Sequence, residues 1–113
     1  AALRRIERVA VLLREVIAKI LLRDLAFPDG AMVTVTRVAP SDDLYYATAF
    51  VTILAPKAGA EGTVLAELKR VTGLVQHELN RTLRMRPVPK ISFALDQNEQ
   101  RRERVEKLLN EQK

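Results

Sequence analysis

The spacing of the apolar residues changes several times along the chain, and this change limits the fold more than any other feature. Residues 3–24 repeat apolar side chains every three or four positions with charged residues between them, the pattern of a long amphipathic helix. Residues 32–38 and 46–54 instead alternate apolar and polar residues and are rich in β-branched side chains, as half-buried strands are. A chain with both patterns packs helices against a sheet, so we expect an α+β fold.

The two predicted strands are separated only by the turn sequence Pro40-Ser41-Asp42-Asp43, which favours an antiparallel hairpin. Strict alternation in the first strand would place Arg37 on the same face as the apolar Val33 and Val35. A buried arginine is costly, so we expect a β-bulge or the end of the strand near Thr36 and Arg37.

Turn and loop signals divide the middle of the chain. Pro28-Asp29-Gly30 ends the first helix, and the Gly- and Ala-rich residues 56–62 are predicted to form a loop. Helical spacing of apolar residues returns over residues 64–83, but Val71-Thr72-Gly73 interrupts it. We therefore expect two helices that meet at a bend formed by these three residues. Gly73 has no Cβ, and this absence is expected to permit the bend.

The end of the chain is predicted to add a third strand and a last helix. Pro87 and Pro89 prevent further helix, and residues 91–95 alternate as a strand does. Asp96 then opens a capping-box sequence, which begins a helical extension over residues 97–113.

Length and composition limit the organisation and the chemistry. A chain of 113 residues fits one domain, which we place over residues 1–113 with its core at about 3–96. The chain has no cysteine and a single histidine, His77, so disulfides and the usual zinc ligand sets are excluded. It also lacks nucleotide-binding and serine-triad motifs and any apolar run long enough for a membrane. We expect a cytoplasmic monomer without catalytic residues, metal or cofactor.

Positive charge is concentrated in residues 69–90, which we call the basic segment. It holds six basic side chains and one acid, Glu78, an excess equal to the net charge of the whole chain, +5. Such a local field attracts polyanions, and arginine forks match phosphate geometry. We predict RNA binding here, with a merely solvated basic surface as the alternative. The predicted RNA-binding residues of the segment are Lys69, Arg70, Arg81, Arg84, Arg86 and Lys90.

Two further motifs have competing interpretations. Gly59-Ala60-Glu61-Gly62 matches the GxxG loop that binds phosphates in KH domains, but it follows a strand and contains an acid, so we interpret it as a flexible loop. Phe50 is expected to cover the second face of the sheet, and Tyr45 and Tyr46 to be hairpin residues. Stacking of these aromatic rings on nucleic-acid bases is the alternative.

The predicted order of helix, strand, strand, helix, bend, helix and strand is that of the type II KH fold, a three-stranded sheet backed by helices. Within this order, several sequences resemble motifs of the ribosome-binding factor A family. They are Thr34-Val35-Thr36-Arg37-Val38, Ser41-Asp42-Asp43-Leu44, Ala47, Phe50-Val51-Thr52, Gly73, Leu83-Arg84-Met85-Arg86, Val88-Pro89, Ile91, Phe93 and Asp96. The resemblance extends from about Arg4 to Asp96 and includes the Arg-rich first helix.

This resemblance implies a non-enzymatic factor that binds the small (30S) ribosomal subunit and 16S rRNA, assists late rRNA processing and subunit maturation, and is released by a ribosome-dependent GTPase. It adds Arg4, Arg5 and Arg8 of the first helix to the predicted RNA-binding residues. The chain departs from the family at two positions: Val71 replaces a usual alanine at the bend, and Gln76 replaces an arginine expected to contact phosphate. The alternative functions are a KH-like module for other RNA or DNA, and a ferredoxin-like protein-interaction domain whose basic face meets an acidic partner.

Overall fold

A computed structural model describes residues 2–27, 30–57 and 59–111, without the side chains of Ala2 and Glu111. Pro28 and Asp29 of the expected first turn, and Ala58 of the expected loop, lie outside the described residues. The helices and strands are α1 (Ala2–Asp24), β1 (Met32–Pro40), β2 (Tyr46–Leu54), α2 (Glu61–Arg70), α3 (Thr72–Thr82), β3 (Lys90–Leu95) and α4 (Gln97–Glu111).

The sheet has the order β1-β2-β3, with β2 antiparallel to β1 and parallel to β3. The expected bulge in β1 is confirmed: Val35 lies opposite Val51, but Arg37 lies opposite the next residue of β2, Phe50. The extra residue moves Arg37 to the face away from the core and lets Val38 return to the core. β1 also continues to Pro40, so the turn begins one residue later than the sequence predicted.

The core lies between one face of the sheet and the helices α1, α2 and α3. α1 contacts β1 and α3, while α2 and α3 contact β3. Leu13 and Ile17 of α1, with Leu68 of α2 and Val75 of α3, are fully buried because the helical repeat places them on the side that faces the sheet. This arrangement confirms the α+β, type II KH-like class with helices backing a three-stranded sheet.

The bend between α2 and α3 differs from the expectation in its position and its cause. The helices meet at Val71, which is buried and has φ −94° and ψ 10°, whereas Thr72 and Gly73 belong to the first turn of α3. Gly73 is exposed, and a Cβ built there would meet nothing within 4 Å outside the helix's own backbone. The prediction that the bend needs a glycine is therefore wrong, because burial of Val71 rather than close backbone approach fixes the joint.

The loop before α2 is also shorter than predicted. Glu61 and Gly62 lie in the first turn of α2, so only the beginning of the GxxG-like sequence is loop. Glu61 places a negative charge near the positive end of the helix dipole. The sequence therefore opens a helix, and its glycines do not join two helices as they do in a KH phosphate loop.

α4 lies against the C-terminal end of β2, along the edge that β3 leaves unpaired. Asp96 precedes the helix, and its main-chain N–H donates to Val51 O (2.8 Å). One turn into α4, the side-chain amide of Gln100 accepts from Ile53 N–H (2.7 Å) and donates to Ile53 C=O (2.8 Å). Gln100 thus continues the hydrogen-bond ladder along β2 beyond the point where β3 ends.

Candidate nucleic-acid interface

The basic segment is divided between the two ends of α3. Lys69 and Arg70 lie at the C-terminal end of α2, before α3 begins, and Arg81 lies in the last turn of α3. The 11 residues of α3 span about 16 Å at a rise of about 1.5 Å per residue. Arg84 and Arg86 follow in the loop, and Lys90 begins β3. The structure therefore places four of the six predicted residues in or after the last turn of α3 and two before α3 begins.

Arg86 has a structural partner that the sequence did not suggest. Its Nη1 donates to the carbonyl oxygens of Leu83 (2.8 Å) and Met85 (2.7 Å), and its Nη2 lies 3.4 Å from Asn80 O. A helix leaves its last carbonyls without partners, and a cation there also favours the helix dipole. Arg86 thus caps the C-terminus of α3, and much of its donor capacity is used within the protein.

Two other basic residues are balanced by acids. Arg70 forms a two-point pair with Glu67 (2.6 and 3.0 Å), and this hydrogen bond holds the pKa of Glu67 below its ordinary value. Arg81 lies 3.3 Å from Glu78, which also lies 3.8 Å from Arg23 of α1. The positive charge of the segment is therefore balanced more than its one acid suggested, because Glu67 lies just outside the segment and pairs with Arg70 one helical turn away.

The remaining basic residues of the segment are the best candidates for contact with a polyanion. Lys69, Arg84 and Lys90 are exposed, and within the described ranges no carboxylate oxygen lies within 4.0 Å of their charged nitrogens. Arg84 follows the end of α3, and Lys90 begins β3 beside the hairpin turn. A phosphate that approached these two side chains would not have to displace a protein carboxylate first.

The arginines at the start of α1 lie apart from the C-terminal end of α3. Arg4, Arg5 and Arg8 are exposed near the start of α1, while α1 meets α3 through Arg23, near its other end. The 15 to 19 residues between them correspond to about 22 to 28 Å along the helix. Arg23 itself was not predicted, because its link to Glu78 joins two helices that are distant in sequence.

Gln76, which stands where the family often has arginine, holds the last residues of the basic segment to α3. Its Oε1 accepts from Ile91 N–H (2.8 Å), and its Nε2 donates to Pro89 C=O (3.0 Å). The side-chain amide thus supplies hydrogen-bond partners for two main-chain groups at the start of β3. Gln76 therefore has a structural role at this position and fixes where Lys90 lies.

The hairpin turn lies beside Lys90 and is held by its own hydrogen bonds. Asp43 Oδ1 accepts from the Ser41 hydroxyl (2.6 Å) and from Tyr45 N–H (3.0 Å), and these bonds lower the pKa of Asp43. Leu44 is buried with φ 62°, a left-handed conformation that non-glycine residues rarely adopt. Lys90 N–H donates to Tyr45 O (2.8 Å), so the turn and the basic segment are directly connected.

Other kinds of site find little support in the described part of the chain. No group of three or more His, Cys, Asp or Glu residues that could hold a metal occurs there, and His77 is exposed on α3. No helix among these residues is long and apolar enough to cross a membrane.

Comparisons with known proteins agree with the resemblance noted from the sequence. The family model described as Ribosome-binding factor A matches residues 5–109. Ribosome-binding factor A of Natranaerobius thermophilus is 36% identical over 107 residues, which cover 95% of this chain and 81% of that protein.

Two structures of the Thermus thermophilus factor share the fold. A homology model of that ribosome-binding factor A, fitted into the cryo-EM map of a 30S complex, has a TM-score of 0.62 and 26% identity, covering 75% of this chain and 88% of the other. The crystal structure of the Thermus thermophilus factor has a TM-score of 0.63 and 24% identity, covering 80% of this chain and 94% of the other. Because the family model matches nearly the whole length of this chain, the chain belongs to the ribosome-binding factor A family.

Proposed function

We propose that this protein binds the small ribosomal subunit through 16S rRNA and assists the late maturation of that subunit. The observation that carries the proposal is the shared fold with a factor described in a 30S complex, together with family membership. The protein acts by binding energy and not by bond chemistry. Release by a ribosome-dependent GTPase, a monomeric state and a cytoplasmic location stay predictions.

The charges of the surface support RNA as the partner. Arg84 lies in the loop after α3 and Lys90 at the start of β3, and the positions of both are fixed by Gln76 and by the capping role of Arg86. A rigid loop loses little conformational entropy when its cations bind phosphate. Because each neutralised phosphate releases counterions, this interface should give binding that weakens steeply with salt.

The experiment compares two double variants with the same change in charge. Arg84→Gln with Lys90→Gln removes the two cations at the proposed interface, and Arg101→Gln with Arg102→Gln removes two exposed cations of α4. Binding of each protein to purified 30S subunits is measured across a salt series, and folding is checked by circular dichroism.

We expect the Arg84/Lys90 variant to bind more weakly and its slope of log affinity against log salt to fall by about 1.4 to 1.8, as for two lost phosphate contacts. The Arg101/Arg102 variant should keep an affinity and a slope close to those of the unchanged protein. If both variants lose the same affinity and slope, the interface is not at the basic segment.

A further inference from the structure

The outer face of the sheet, opposite the core, meets α4 only near the C-terminal end of β2. There Gln100 bonds to Ile53, Glu103 to Thr52 (3.2 Å) and Lys107 to Ala55 (3.3 Å). The rest of this face, which we call the open face, remains accessible. It carries Arg37, Tyr46, Thr48, Phe50, Lys90 and Ser92, which the strand register places side by side.

The β-bulge brings Arg37 to the open face. Without the extra residue, strand alternation would direct Arg37 into the core, whereas in the structure its side chain is 58% exposed. Its guanidinium lies over the ring of Phe50, 3.7 Å from the ring centroid, and Nε lies 3.7 Å from Asp96 Oδ2. The guanidinium is therefore held over the Phe50 ring before any partner arrives.

Tyr46 is the most exposed ring of the open face and is held in place by the hairpin turn. It is 61% exposed and lies directly opposite Lys90 in the parallel register. Tyr46 N–H donates to Ser41 Oγ (3.1 Å), and Tyr46 O accepts from Ser41 N–H (2.7 Å). The strained conformation of Leu44, two residues earlier, is the kind of backbone feature that persists where surrounding contacts fix a loop for function.

We propose that the open face is a second RNA contact, on which unpaired bases stack on Tyr46 and on the guanidinium of Arg37 while Lys90 contacts the backbone phosphate. Single-stranded RNA is read in this way by aromatic rings and arginine planes displayed on sheets. This inference rests on the proposed function. The ligand then includes a single-stranded segment of rRNA, which passes from the basic segment across Lys90 onto the open face.

The chemistry of the face favours RNA over a protein partner. Both of its charged side chains are basic, and the neighbouring Asp96 is nearly buried and occupied by Thr36 (2.7 Å) and Arg37. The apolar groups of the open face are the aromatic rings of Tyr46 and Phe50, whereas the exposed aliphatic pair Met32 and Leu54 lies at the other end of β1 and β2. A base offers a π-face for the rings and a phosphate for the lysine.

The first test measures binding to 30S subunits for Tyr46→Ala and for the matched variant Tyr46→Phe, which keeps the ring. Loss of one stacked base should weaken Tyr46→Ala by about fivefold or more, whereas Tyr46→Phe should stay within about twofold of the unchanged protein. If the unchanged protein binds with steep salt dependence and Tyr46→Ala binds equally well, the open face is not a contact although the proposed function stands. If the unchanged protein itself fails to bind, the proposed function fails.

The second test identifies the partner directly, because the chain contains two tyrosines and no tryptophan. Tyr45→Phe leaves Tyr46 as the only strong fluorophore, and Tyr46→Phe leaves Tyr45, the neighbouring exposed ring outside β2. Each variant is titrated with a single-stranded oligouridine at low salt. Saturable quenching confined to the variant that retains Tyr46 supports base stacking. Equal quenching of both variants, or none in either, overturns base stacking on Tyr46. If Tyr46→Ala had nevertheless weakened 30S binding, the open face contacts a protein of the subunit.

Discussion

Among the hydrogen bonds that attach α4 to the sheet, those of Gln100 are the buried ones, and replacing Gln100 should show how much they contribute to stability. Gln100 is 5% exposed, and its amide satisfies both the N–H and the C=O of Ile53, at 2.7 and 2.8 Å. Gln100→Ala removes both partners and leaves two buried main-chain groups of the central strand unsatisfied. β3 cannot replace them, because its pairing with β2 ends at Leu95, opposite Val51.

The expected loss follows from the cost of each unsatisfied group. A buried donor or acceptor left without a partner costs about 1 to 3 kcal/mol, and water that enters the site reduces this cost. For two groups we expect Gln100→Ala to lower the free energy of unfolding by about 2 to 4 kcal/mol, a large part of the about 5 to 15 kcal/mol typical of such a domain. Urea unfolding followed by circular dichroism measures this change as a lower midpoint with an unchanged slope.

Two other variants identify the cause. Gln97→Ala, at an exposed position of the same helix, should change stability by less than about 0.5 kcal/mol. Gln100→Met keeps a side chain of similar length but cannot form both hydrogen bonds, so it should lose nearly as much as Gln100→Ala. Wild-type stability of Gln100→Met would refute the reasoning, since packing rather than the paired hydrogen bonds would then hold α4.

Three further predictions test other parts of the fold. Gly73→Ala should leave the unfolding midpoint unchanged or raise stability by up to about 1 kcal/mol, because the position is helical and open; a clear loss would restore a special role for the glycine. Arg86→Ala should lower stability by about 0.5 to 1.5 kcal/mol in urea unfolding through loss of the α3 cap, whereas Arg84→Ala should not; equal effects would contradict the cap. The hydrogen bond from the Thr36 hydroxyl, and to a smaller extent the charge of Arg37, lowers the pKa of Asp96 below its ordinary 3.8. Ionised Asp96 therefore stabilises the fold above pH 3.8, and this contribution is lost as the pH falls through the lowered pKa. The unchanged protein should therefore lose more stability than Asp96→Asn between about pH 5 and pH 2.5, and parallel acid curves would contradict this assignment.

The sequence predicted the elements of the fold well because their hydrophobic periods are clear. The bulge at Arg37 could also be predicted, since an arginine on an apolar face signals a change of register. The bend was misplaced because glycine is a local signal, while the burial of Val71 that fixes the joint depends on packing of the whole domain. The role of Gln100 was missed for the same reason, because its partner Ile53 is 47 residues away.

The candidate site was only partly predictable. Counting charges located the basic segment, but a count cannot show that Arg86 caps α3 or that Arg81 shares Glu78 with Arg23. Base stacking by Tyr46 and Phe50 was only an alternative from the sequence, and the open face as a whole was not predicted because no single motif contains it. Its members come from three strands, and only the register brings Tyr46 beside Lys90.

The proposed function requires that this protein recognise the small subunit itself, beyond any general attraction to RNA. The most direct measurement is co-sedimentation of the protein in sucrose gradients with purified 30S subunits and, separately, with 50S subunits, at about 50 and about 200 mM salt. Both particles present phosphate at high density, so the 50S subunit controls for charge alone. We predict co-sedimentation with 30S and not with 50S subunits, reduced at the higher salt. Equal binding to both subunits would contradict the account.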